Sequence, residues 1–178
     1  MTTIKLHPGD AFPELSVVNR SGESVTLGPS SGGDRWQAIF VYRGAHCPMC
    51  TRYLNRLEEH LEGFSQAGVD IVAVSADSAE QRAHHETQLR VSFPLYHGLT
   101  EAQMKTLGLY ISDPRSEQET DHRFAEPGLF VVNEQGLLHV VDLSNNPFVR
   151  PEIDTLVRGL RWIRDPKNNY PIRGARAY

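Results

Sequence analysis

The stretch from Trp36 to Phe64 imposes an order of elements that few folds accommodate. An apolar, aromatic run, WQAIFVY, ends at Tyr42, and after four intervening residues Cys47-Pro48-Met49-Cys50 opens a segment of different periodicity. The unbroken apolar run reads as a strand buried on both faces. After it, Cys50, Leu54, Leu57, Leu61 and Phe64 recur at spacings of four, three, four and three, which places them on one face of a helix. The pattern predicts one long helix from about Cys47 to near Gly68, and therefore a strand, a short loop and a helix carrying two cysteines at its start.

The remaining elements follow from the same periodicities. Leu15 to Val18 and Ser24 to Leu27 flank Asn19 to Gly22 as a hairpin, and VDIVAVS from Val69 to Ser75 reads as a second buried strand. Ser78 suits the N-cap of a helix reaching Arg90, and Phe93 to Tyr96 suits a short strand. A small helix from Glu101 to Leu107 stops at Gly108, and Ser112 to Phe124 is polar enough to be an exposed excursion. Gly128 to Asn133 and Leu137 to Leu143 form a hairpin. Ile153, Leu156, Val157, Leu160 and Ile163 trace a last amphipathic helix, with Pro151 at its first position. Trp36, Trp162 and Tyr170 read as packing aromatics. The order predicts an α/β chain, a thioredoxin-like fold with a central mixed sheet and helices on both faces, as one domain over residues 1–178 with a tail from 166 to 178.

The start of a helix is where unpaired backbone N–H groups and the positive end of the dipole stabilise an anion. Cys47 there is expected to be the acidic, attacking sulfur, and Cys50, on the apolar stripe, the sheltered one that closes a disulfide. Pro48 fits the first turn and stiffens the intervening pair. His46, if protonated, and Arg43 are candidates to hold the thiolate. Two inert core thiols and half of a zinc site are the competing readings. The second is weakened because no further cysteine exists and His84-His85 lies on another segment. No other metal and no cofactor is expected.

Composition excludes several classes. With 39% hydrophobic and 22% charged residues the 178-residue chain is an ordinary packed protein. A net charge of −4 offers no field for nucleic acid or an anionic membrane. From Arg150 onward seven basic residues face three acidic ones, which reads as a solvated helix face. No apolar run approaches membrane length and residues 1–10 lack a secretory pattern, so the expected location is cytoplasmic.

The extended start Pro8-Gly9-Asp10-x-Phe12-Pro13, the strand and helix around Cys47, VDIVAVSADS, PGLFVVNEQG and VRPEIDTLVRGL together resemble the alkyl hydroperoxide reductase/thiol-specific antioxidant (AhpC/TSA) group, the peroxiredoxin-like branch of the thioredoxin superfamily. The resemblance implies that Cys47 attacks a hydroperoxide to give a sulfenic acid, that Cys50 resolves it, and that a thioredoxin- or glutathione-type reductant restores the dithiol. A homodimer, with the tail over the partner, is compatible with it. Two positions depart from that pattern: its threonine or serine three residues before the cysteine is Gly44 here, and its arginine before the Gly-Leu-Phe strand is Pro127. The groups that hold the peroxide are thus expected to be missing. The CPMC loop, Gly44 and Pro127 are also similar to protein-disulfide oxidoreductases, in which a cis-proline faces the cysteine pair. A disulfide reductase or redox relay is therefore the alternative enzyme, with a disulfide substrate, and a redox-sensing interaction module the non-enzymatic one.

Overall fold

A computed structural model describes residues 4–177. Two chain ends of the sequence reading, residues 1–3 and Tyr178, lie outside the described residues. The elements run β1 (Leu15–Val18), β2 (Ser24–Leu27), β3 (Trp36–Val41), α1 (Pro48–Glu59), α2 (Leu61–Gln66), β4 (Val69–Val74), α3 (Ala79–Glu86), β5 (Leu95–Tyr96), α4 (Glu101–Thr106), β6 (Ile111–Ser112), β7 (Phe124–Ala125), β8 (Gly128–Val132), β9 (Leu138–Leu143) and α5 (Ile153–Arg164). Five strands form the central sheet in the order β5-β4-β3-β8-β9, with β3 parallel to β4 and antiparallel to β8. This is the expected thioredoxin-like arrangement. Among the described residues no helix is long and apolar enough to cross a membrane.

The two faces of β3 divide the core. Trp36, Ala38 and Phe40 point to one side and meet Leu54 and Leu57 of α1, Phe64 of α2 and Val157 and Leu160 of α5. Ile39 and Val41 point to the other, where the β1–β2 hairpin and Met104 of α4 cover them. Both faces being buried explains why β3, β4 and β8 are apolar almost throughout.

Several elements differ from the sequence reading. The predicted long helix is two, because the His60 ring takes the Arg56 carbonyl at 2.8 Å while the His60 amide turns to Leu57. The stripe continues onto α2 with Phe64 fully buried. Gly63 lets α2 approach α5, since a side chain there would meet Val157 at 2.9 Å. The helix after the Ser78 cap stops at Glu86, and α5 is capped by the Glu152 carboxylate, so Pro151 lies just before the helix. The 112–124 segment is not simply exposed: its ends pair as β6 and β7, and Thr120 and Phe124 are buried. The tail is laid down as well, with Tyr170 against Trp162, itself half exposed, and Ala175 beside Gly9.

Leu160 is 1% exposed in the core shared by α1, α2 and the sheet. Its replacement by alanine is expected to cost about 2–5 kcal/mol in denaturant unfolding, and a loss below about 1 kcal/mol would show that α5 is not docked as described.

Candidate active site

Strand β3 delivers the chain to the centre of the sheet edge, and residues 43–46 turn it into α1. Cys47 is the N-cap, in an extended conformation, and its Sγ accepts the backbone N–H of Cys50 at 3.2 Å. A sulfur thus stands where serine or aspartate normally caps a helix, and an anionic acceptor gains most from that place. Pro48, which has no N–H to lose, opens the first turn.

The surroundings separate the two thiols. Cys47 is lowered to about 6, first because the Cys50 thiol donates to it, then by the Cys50 amide, Arg150 and Arg43, all acting against burial. Burial and that donated hydrogen bond push Cys50 in the opposite direction, strongly upward. Both side chains are almost fully enclosed, Cys47 at 1% exposure.

Two guanidinium groups flank the pair. Nη1 of Arg43 lies 4.0 Å from Cys47 Sγ, held by ion pairs to Glu126 at 3.2 Å and Glu119 at 3.8 Å and by the Phe124 ring. The 112–124 segment and its flank therefore fix this arginine. Nη2 of Arg150 lies 2.9 Å from Cys50 Sγ and 4.0 Å from Cys47 Sγ, with its guanidinium over Tyr53. The sequence places Arg150 in a solvated basic end and offers only Arg43 as a guanidinium for the site. It stands just ahead of α5, where Tyr53 of α1 donates to the Pro151 carbonyl at 2.8 Å, and nothing in the sequence marks it as turned inward. A cleft of about 340 Å³ lined by Met49, Arg52, Tyr53, Phe148 and Pro151 leads to it from the surface.

His46 does not take the role of a cation. Burial, helped by Arg43, lowers it to about 4, so it is neutral at pH 7, and its ring packs on Phe124 with both nitrogens free of hydrogen bonds. Pro127 is trans, since the described residues contain no cis peptide, so the cis-proline comparison fails. It lines a narrow cavity of about 20 Å³ with Tyr42, Tyr53 and Arg150. Gly44 has a clear physical reason: with φ at +137°, a Cβ there would come 2.5 Å from Oδ1 of Asp77. Asp77, buried and raised by that burial, accepts the Ala45 amide at 2.9 Å and occupies the room a side chain at 44 would need. His85 does come near α1, bonding Thr51 at 2.8 Å, and among the described residues no three metal-binding side chains converge.

The family model for AhpC/TSA matches residues 8–141. The chain belongs to the AhpC/TSA family. Relatives include a Mycobacterium tuberculosis protein named provisionally as a peroxiredoxin, 30% identical over 93 residues, a match covering 52% of this chain and only 58% of that relative. Alkyl hydroperoxide reductase C of Escherichia coli K12 is 25% identical over 162 residues, covering 87% of this chain and 77% of the relative. Among solved structures, a peroxiredoxin-like protein of Aquifex aeolicus superimposes with a TM-score of 0.73 at 19% identity, covering 89% of this chain and 88% of that one. The peroxiredoxin 6 of Arenicola marina gives 0.74 at 17% identity, with 91% and 75% covered. These likenesses carry the fold.

Gly44→Ala combines a left-handed backbone with a clash against Asp77, so denaturant unfolding should register a loss of about 2–4 kcal/mol. A change within about 0.5 kcal/mol of zero would mean that the loop does not depend on that glycine.

Proposed function

We propose that this chain is a thiol-dependent peroxidase in which Cys47 is the nucleophile and Cys50 the resolving thiol. The observation that carries the proposal is the Cys47 sulfur capping its helix and accepting the Cys50 amide at 3.2 Å, with the second thiol on the next turn of that helix. In the first step the Cys47 thiolate attacks the terminal oxygen of a hydroperoxide. The O–O bond breaks, Cys47 becomes a sulfenic acid, and the leaving alkoxide takes a proton and departs as the alcohol. The Cys50 sulfur then attacks the sulfenic sulfur, forming the S–S bond while the hydroxyl leaves with the thiol proton as water. A thioredoxin- or glutathione-type thiol returns the disulfide to the dithiol.

The enclosure of Cys47, 1% exposed, suits a small hydroperoxide as the group that reaches the reduced sulfur first. The trans geometry of Pro127 also removes one of the features that suggested a disulfide reductase. Family membership supports peroxide chemistry in general.

The decisive variant is Cys50→Ser. With stoichiometric hydroperoxide it should gain one oxygen at Cys47, seen by mass as a sulfenic acid, whereas the unmodified protein should lose two hydrogens as the disulfide. Failure of both species to form, with capture of proteins from cell extract as mixed disulfides by the same variant, would reject the peroxidase in favour of the disulfide reductase.

A further inference from the structure

Arg150 is asymmetric toward the two sulfurs. It lies 2.9 Å from Cys50 Sγ but 4.0 Å from Cys47 Sγ, where Arg43 stands at the same 4.0 Å and the Cys50 amide is closer, at 3.2 Å. Cys47 therefore has two donors besides Arg150, the Cys50 amide and Arg43, whereas Cys50 lies in the apolar core with Leu54, Leu57 and Tyr42 and has Arg150 as the guanidinium in contact. An ionised sulfur at that depth cannot be left without a cation.

We infer that Arg150 is a catalytic residue for the Cys50 half of the cycle, carrying the charge of that sulfur whenever it is made or expelled as a thiolate. The inference rests on the redox reading of the cysteine pair but not on the oxidant. In resolution, Cys50 gives up its proton and attacks the sulfenic sulfur of Cys47, and the proton leaves in water. In reduction, an external thiolate attacks Cys47, the S–S bond breaks, and its electron pair leaves on Cys50. Both steps place negative charge on the same atom, facing the same guanidinium. The attack of Cys47 on peroxide does not.

The test uses Arg150→Met, which keeps an unbranched apolar stem without the charge, and Arg150→Lys, which keeps the charge. The disulfide is first formed with diamide, so this arm holds even if peroxide proves not to be the substrate. Its reduction by dithiothreitol, followed by alkylation and mass, is expected to slow about tenfold or more in Arg150→Met and to recover substantially in Arg150→Lys. In a Cys50→Ser background, Arg150→Met is expected to slow Cys47 oxidation by hydrogen peroxide by a clearly smaller factor than it slows disulfide reduction, since Arg150 stands 4.0 Å from Cys47 Sγ against 2.9 Å from Cys50 Sγ. Reduction at the unmodified rate in Arg150→Met, or equal slowing in Arg150→Lys, overturns the inference. So does an equal loss in the Cys47 oxidation arm, which would assign Arg150 to the first sulfur. A wild-type protein that peroxide does not oxidise contradicts the proposed peroxidase instead, and leaves the dithiothreitol comparison to decide on Arg150.

Discussion

A negative sulfur capping a helix is the interaction on which this structure turns. Free amides at the first turn of α1 can stabilise one anion, and the chain is arranged to offer them Cys47. β3 brings the backbone to the right place, Gly44 permits the turn past Asp77, and Pro48 starts the helix without wasting a donor. The second sulfur is one turn on and fully buried, which makes it a poor anion and a good donor to the first. The contrast in acidity between two identical side chains is thus produced by position.

Charge around the pair is supplied in an unusual way. The segment before β8, where the family resemblance leads one to expect an arginine, reads Glu126-Pro127, and the buried carboxylate of Glu126 pairs with Arg43 at 3.2 Å. Ser112 also bonds Glu126 at 2.7 Å, so the 112–124 excursion is tied into the same network. The second guanidinium arrives from Arg150, ahead of α5. Cations are therefore fixed from two sides by elements far apart in sequence, and the hydroxyl expected at position 44 has no room because Asp77 fills its place.

What could be read from the sequence was what local periodicity encodes. The strand before Cys47, the apolar stripe after it, the hairpins and the amphipathic α5 all follow from repeats of two or of three and four residues. The break at His60 was hidden because the stripe continues through it, and only the ring's bond to the Arg56 carbonyl ends the helix. Arg150 and Asp77 were hidden for a different reason. Each reaches the site from a separate element, and a charged side chain near a helix end carries no mark in one sequence that separates a solvated group from one turned inward. The same holds for His46, whose place next to Cys47 suggests a cation although its ring is buried against Phe124 and neutral at pH 7.

The most direct test is a titration of the reduced protein, following thiolate absorbance in the ultraviolet from acid upward. A cap-stabilised sulfur should give one thiolate that forms as pH rises through about 6, with the second thiol still protonated well into the alkaline range. If no thiolate appears until about pH 8.5, where a free cysteine ionises, the helix start confers no acidity on Cys47 and the account fails.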